Sequence, residues 1–214
     1  MKAILYDWGG LNVWLFHLIN DQHGTLLDQF MLLGTELGDH AHFQLYAALL
    51  GMLAMLAAGR SPARAAWPWL LALAVFACAY NLDGWLLGWL KPWLDFPRPP
   101  LALPAGTVHV VGEIQLHHSL PSGHSSFAML CAASVWPVLG RPGRALASMM
   151  VIWVGASRVS LGMHFPADVL AGFLSSMLIV ILVRMLLLNL AHAGNPEVPA
   201  DVRSRGMLDR GDDG

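Results

Sequence analysis

Residues 167–190 read ADVLAGFLSSMLIVILVRMLLLNL, and the charged side chains among them are Asp168 and Arg184. A helix needs about 20 mostly apolar residues to cross the hydrocarbon core of a bilayer, so this stretch predicts a membrane span. Four further stretches satisfy the same criterion: 41–59, 65–90, 123–140 and 144–161. Short turns such as GRPGR at 140–144 join them. The sequence therefore predicts an all-α, polytopic transmembrane helix bundle of five to six spans.

The composition indicates that lipid surrounds much of the protein. The 214 residues are 56% hydrophobic and 12% charged, whereas soluble domains carry about 25% charged residues. The formal net charge of -2 excludes a nucleic-acid partner, because such proteins need a basic face. We expect one domain over residues 1–191. The charged, Gly- and Pro-containing segment 192–214 is predicted to be a disordered cytoplasmic tail.

The N-terminal region 11–38 is less clear than the other apolar stretches. Its apolar residues have helical spacing, but Asn, Asp, Glu and His interrupt them. This pattern favours an N-terminal amphipathic helix at the membrane interface, with a sixth span as the alternative.

Arginine positions predict the orientation. Short loops rich in Lys and Arg face the cytoplasm. A five-span chain places one group of arginines on that side: Arg60, Arg64, Arg141, Arg144, Arg184, Arg203, Arg205 and Arg210. The long loop 92–120 then lies on the opposite, extracytoplasmic side. Lys91, Arg98 and Arg158 are basic residues on this second side, which suggests that they serve a ligand.

Two of the polar clusters on that side combine features of helix ends and of anion sites. Lys91 and Arg98 are part of the segment KPWLDFPRP and are either interfacial anchors or a clamp for an anion. Ser122, Gly123 and His124 follow Pro121 at the start of an apolar helix. The serine is either a simple helix cap or, with the free backbone N–H groups, part of an anion cradle.

The third cluster contains Ser157, Arg158, His164 and Asp168. Pro166 predicts the start of the last helix, and Asp168 would then be a favourable charge in its first turn. A carboxylate four residues from a histidine can also accept a ring N–H and leave the other nitrogen free as a nucleophile. Together the clusters supply cations, two histidines and a carboxylate, the inventory that phosphoryl transfer requires.

The three clusters resemble the three-part signature of the type 2 phosphatidic acid phosphatase (PAP2) superfamily. Its pattern is K-x6-R-P, P-S-G-H and S-R-x5-H-x3-D, and this sequence matches it from Lys91 to Asp168. The resemblance implies that His164 is the nucleophile, Asp168 orients it, and His124 is the general acid. It also implies a phosphate-binding set and no metal or other cofactor. That set is Lys91, Arg98, Ser122, Gly123 and Arg158.

The resemblance implies a metal-independent phosphatase of the bacterial inner membrane, acting on a lipid phosphate or diphosphate through a phosphohistidine at the extracytoplasmic or periplasmic face. Family substrates include undecaprenyl diphosphate, which we favour, and phosphatidylglycerophosphate. The alternatives are a phosphotransferase with an acceptor such as lipid A, and a non-enzymatic lipid-binding or transport protein. The presence of His124, His164 and Asp168 together weighs against the last of these, because a binding protein would not need all three.

Two other features have competing interpretations. Asp83, inside an apolar stretch, is either functional or paired within the bundle. His40 and His42 form an H-x-H pattern, which we interpret as interfacial histidines rather than a zinc site.

Overall fold

The computed structural model describes residues 6–60 and 65–193, and the side chains of Arg60 and His192 are left aside. Regular structure in these residues is helical throughout. The helices are α1 (Leu11–Asn20), α2 (Thr25–Leu37), α3 (Phe43–Arg60), α4 (Trp67–Leu94), α5 (Pro99–Ala102), α6 (Gly123–Val135), α7 (Arg141–Ser160) and α8 (Pro166–Ala193). The first two residues of the predicted tail, 192 and 193, are the end of α8 rather than disordered. Residues 194–214 of that tail and Arg64 lie outside the described residues.

Three helical segments are long and apolar enough to cross a membrane: His40–Gly59, Trp67–Ala102 and Pro166–Ala191. They contain α3, α4 and α8, and correspond to three of the five predicted spans. The other two predicted spans form α6, which has 13 residues, and α7, which carries arginines near both ends. The all-helical membrane architecture is confirmed, and the number of spans stays a prediction.

The core is an apolar contact region between α4, α6 and α8, with α3 against its edge. Phe76, Phe127, Leu130 and Val180 are buried there. The outer side of α8 is apolar too, since Leu182 and Leu186 are 56% and 58% exposed. A helix that is apolar on all sides is typical of a protein whose solvent is lipid.

A buried carboxylate joins the three core helices near their site-facing ends. Asp83 of α4 accepts hydrogen bonds from Ser176 of α8 at 2.8 Å and from Ser126 of α6 at 3.4 Å. All three side chains are fully buried. Of the two interpretations of Asp83, the structure supports pairing within the bundle.

The N-terminal region forms two short helices instead of the single interfacial helix that we expected. α1 ends at Asn20 because residues 21–24 form a turn that closes at Gly24. Neither helix is among the candidate spans, so the sixth-span alternative finds no support in this region. Asn12, Phe16 and Asn20 are completely buried, and α2 packs along α7. The region therefore covers one end of the bundle.

Candidate active site

His164 lies in the tight turn that joins α7 to α8. Its backbone N–H donates to the carbonyl of Arg158 at 3.1 Å, and its side chain is 1% exposed. The turn needs Gly162, whose φ is +73° and where a Cβ atom would lie 2.3 Å from the carbonyl oxygen of His109. Pro166 then begins α8, because proline is well tolerated in the first turn of a helix.

Asp168 occupies that first turn and faces His164. One carboxylate oxygen, Oδ2, is 3.4 Å from His164 Nδ1 and accepts hydrogen bonds from Ser119 Oγ at 2.5 Å and from the N–H of Phe165 at 2.9 Å. The other oxygen, Oδ1, accepts from the hydroxyl of Tyr6 at 2.9 Å. The carboxylate is thus held by three donors, which orient it towards the imidazole.

Arg98 lies against the opposite nitrogen of the ring. Its Nη1 is 3.3 Å from His164 Nε2, and the guanidinium also donates to the carbonyls of His117 at 3.0 Å and Met163 at 3.3 Å. A guanidinium can only donate, so Nε2 is the acceptor and carries the lone pair. The ring proton is therefore on Nδ1, next to Asp168.

The other two predicted cations are also anchored by neighbouring residues. Lys91 Nζ donates to the carbonyl of His118 at 3.3 Å. Arg158 Nη1 donates to the hydroxyl of Thr35. Arg158 Nε is buried and has no hydrogen-bond partner among the residues that the structure describes. A buried guanidinium N–H without an acceptor is costly, and it is suited to bind an incoming anion.

The P-S-G-H segment is fixed by α8 and by His40. Ser122 N–H donates to the carbonyl of Asp168 at 3.0 Å. Ser122 is the N-cap residue of α6, as the helix-cap interpretation had it, but its hydroxyl makes no capping hydrogen bond and instead accepts from Ser125 at 2.9 Å. His40 Nε2 is 3.0 Å from the carbonyl oxygen of Gly123. His40 therefore supports the segment, a role that its sequence pattern did not indicate.

Electrostatics connects the predicted residues across these elements. The pKa of His164 lies well below its usual value, first because the ring is buried and then because of the positive charges of Arg98, Arg158 and Lys91 and the neighbouring imidazole of His124. Four predicted site residues therefore lower the pKa of a fifth, His164. His124 sits in the first turn of α6. The imidazole of His164 stays neutral, as a nucleophile requires.

Several residues at the site were not predicted from the sequence. Tyr6 and Thr35 come from the N-terminal region, and Asn12 Oδ1 accepts the backbone N–H of Ala167 at 2.9 Å, in the first turn of α8. Burial and the neighbouring carboxylate raise the pKa of Tyr6, which keeps its hydroxyl a donor. Ser119 lies two residues before Pro121, the first residue of the P-S-G-H motif. This closeness to the motif is the sequence signal that could have predicted its place in the site.

The positive charge at the site comes from lysine and arginine side chains. Within residues 6–60 and 65–193, no group of three or more His, Cys, Asp or Glu side chains is arranged to hold a metal ion. His40 and His42 accordingly form no metal cluster there. The donor set suits an anion.

Comparisons with known proteins identify relatives of this chain. Phosphatidylglycerophosphatase B of Bacillus subtilis (strain 168) is 32% identical over 157 residues, which cover 67% of this chain and 70% of that protein. The crystal structure of Aquifex aeolicus LpxE has a TM-score of 0.66 at 25% identity, covering 81% of this chain and 94% of LpxE.

A second crystal structure is similar to the same extent. It is that of the first transmembrane PAP2-type phosphatidylglycerolphosphate phosphatase from Bacillus subtilis, with a TM-score of 0.64 and 26% identity over 85% of this chain and 86% of the other. The model of the PAP2 superfamily matches residues 66–190, which contain all three sequence motifs. The chain therefore belongs to the PAP2 superfamily.

Proposed function

We propose that this PAP2 phosphatase hydrolyses a lipid phosphate by way of a phosphohistidine on His164. The observation that carries the proposal is the polarity of the ring. Nδ1 faces Asp168 at 3.4 Å, and the lone pair on Nε2 faces the guanidinium of Arg98 at 3.3 Å. A phosphoryl group that accepts hydrogen bonds from the guanidinium would replace this contact, and it would then meet the free lone pair of Nε2 beside a positive charge.

The proposed first step transfers the phosphoryl group to the protein. Burial and the nearby cations lower the pKa of His124 to about 3 in the empty site, and the negative charge of a bound phosphate raises it again, so His124 takes up a proton from solvent as the substrate binds. Nε2 of His164 then attacks phosphorus, the bond from phosphorus to the lipid oxygen breaks, and His124 gives that oxygen its proton. The charge on the nonbridging oxygens is neutralised by Lys91, Arg98 and Arg158, with the backbone N–H groups at the start of α6 as further donors. The carboxylate of Asp168 stabilises the ring as it becomes positive.

The second step releases phosphate. A water molecule attacks phosphorus, His124 takes up its proton, and the bond to His164 Nε2 breaks. The free enzyme is then regenerated. Lysine and arginine supply the positive charge in both steps, so the proposed reaction proceeds without a metal.

The substrate class rests on the membrane setting and on the relatives. Three helical segments are suited to span a bilayer, so an amphiphile is the substrate that reaches the site by lateral diffusion. A sequence relative and a similar crystal structure, both from Bacillus subtilis, bear the name of a phosphatidylglycerophosphate phosphatase. These names support a lipid phosphate monoester of that kind ahead of the undecaprenyl diphosphate that we favoured from the sequence.

The proposed face of the membrane is extracytoplasmic, in the bacterial inner membrane. Helix α7 begins at Arg141 and ends next to the turn that carries His164. Arg141 and Arg144 thus lie at the end of the bundle opposite the site. The positive-inside rule assigns that end to the cytoplasm, which supports a site on the other side.

Phosphate release by the purified protein in detergent, with chelator, tests the proposal. We expect release from phosphatidylglycerophosphate that exceeds release from undecaprenyl diphosphate and phosphatidic acid. His164→Ala should abolish it and His42→Ala should not, because His42 pairs with Glu36 in the N-terminal region. Acid-labile, base-stable radioactive phosphate should appear on the wild-type protein alone. Equal release by wild type and His164→Ala would contradict the mechanism.

A further inference from the structure

A second cleft lies between α6, α7 and α8, away from the phosphate site. It has a volume of about 600 Å³ and is apolar apart from one serine and one arginine. We name it the far groove, and its walls include Met129, Trp136, Ile152, Met177, Ile181 and Arg184. The volume is within the range of about 300–1,000 Å³ that is usual for small-molecule sites.

Arg184 gives this cleft an unbalanced positive charge. Its Nη1 is buried and has no hydrogen-bond partner in the part of the chain that the structure describes. The neighbouring Leu182, Met185 and Leu186 are exposed and apolar, so the guanidinium sits within the hydrophobic band of α8. An arginine within the hydrocarbon region is unfavourable unless it is paired or hydrated. The site therefore favours an anion.

The charged end of the far groove lies towards the side of the membrane opposite His164. At a rise of about 1.5 Å per residue, Arg184 is roughly 24 Å along α8 from Asp168, close to the thickness of the hydrocarbon core, about 30 Å. A second cation is near this end, because the guanidinium of Arg144 lies 5.6 Å from the ring centre of Trp136, a groove residue. Both cations belong to the end of the bundle that carries Arg141.

We propose that the far groove is a binding site for an anionic phospholipid of the leaflet opposite the active site. The acyl chain lies along the apolar wall, and the phosphate accepts hydrogen bonds from Arg184. A lipid fits better than a free anion because nearly all of the wall is apolar. It is distinct from the substrate of the proposed reaction, since the two positive sites are separated by most of the bilayer. The inference goes beyond the proposed function and does not depend on it.

Replacing Arg184 by leucine tests the site without the usual penalty of a core mutation. The guanidinium has a buried nitrogen with no partner, so its removal should leave the melting temperature of the delipidated protein unchanged or higher. Arg141→Leu is the matched control, because Arg141 is exposed and does not line the groove. Arg184→Lys retains the charge.

The measurement is lipid binding to the delipidated protein in uncharged detergent, by native mass spectrometry and by the shift in melting temperature. We expect phosphatidylserine to bind and to raise the melting temperature of the wild type, Arg184→Lys and Arg141→Leu. Phosphatidylcholine and inorganic phosphate should have little effect. Losing a charge-assisted hydrogen bond should weaken phosphatidylserine binding to Arg184→Leu about tenfold or more.

Four outcomes would overturn the proposal. Equal binding of phosphatidylserine to wild type and Arg184→Leu would show that the charge is not recognised. Equal effects of phosphatidylcholine and phosphatidylserine would show that the groove takes acyl chains alone. A shift produced by inorganic phosphate and lost in Arg184→Leu would assign the site to a free anion. A melting temperature of delipidated Arg184→Leu well below that of the wild type would show that Arg184 has a structural partner.

Discussion

Replacing Tyr6 by phenylalanine removes one of the three donors that hold the carboxylate of Asp168. The hydroxyl of Tyr6 lies 2.9 Å from Oδ1, and the ring is fixed by Phe96 and Phe165, at centroid distances of 4.4 and 5.8 Å. A hydrogen bond to a charged group contributes about 1.5–3 kcal/mol. Because Ser119 and a backbone N–H still hold Oδ2, we expect the lower end of that range.

The loss should appear in kcat, since Asp168 stabilises the ring of His164 as it gains positive charge. About 1.4 kcal/mol corresponds to a tenfold lower kcat, with KM changed less than twofold because no phosphate-binding group is altered. The assay is phosphate release from a short-chain lipid phosphate in detergent, over a range of substrate concentrations.

Tyr46→Phe is the matched control for this substitution. The hydroxyl of Tyr46 donates to the carbonyl of Leu37 at 3.0 Å, a contact that does not include the site. It should lose comparable stability and keep its kcat. An unchanged kcat in Tyr6→Phe, or an equal fall in both variants, would refute the assignment of Tyr6 as a positioning residue.

Two further predictions concern His164 and the approach of α8 to the P-S-G-H segment. The pKa of His164 is lowered in the folded state, so stability should fall as the pH drops below the ordinary value of about 6.5, since the unfolded chain then binds the extra proton. His164→Gln should lose this part of the pH dependence, measured by melting temperature between pH 5 and 7.5, and an unchanged dependence would contradict the burial of a neutral ring. Gly172→Ala should destabilise by at least about 1 kcal/mol, because its Cβ would lie 2.6 Å from the carbonyl oxygen of Ser122. Gly84→Ala, with open space around its Cβ, should leave the melting temperature unchanged or raise it; a similar loss in both variants would count against the clash.

The membrane architecture could be predicted because a helix surrounded by lipid can be identified from its composition. A spanning helix must be apolar over its whole length, and α3, α4 and α8 satisfy this with little help from the rest of the chain. The prediction was less accurate where apolar composition continued past the end of a helix. α6 stops after 13 residues, because Pro137 lies in the short 3-10 turn that follows it.

The positions of the motifs relative to helix ends could be predicted for a similar reason. Proline, glycine and charged residues mark where an apolar helix begins or ends. His164 and Asp168 are four residues apart across such a boundary, so their proximity follows from the chain itself. The sequence alone therefore determined which helices face lipid, to which family the chain belongs, and which of its residues match the signature of that family.

The tertiary structure decided which groups complete the site. The contact between Tyr6 and Asp168 joins residues 162 positions apart, and that between Arg158 and Thr35 joins residues 123 positions apart. Helical periodicity shows which face of α1 or α2 is apolar, but the angle at which each helix crosses α7 and α8 depends on side-chain packing. A hydrogen bond requires its atoms within about 3 Å. That precision comes from the packing of whole helices, which no local pattern in the sequence encodes.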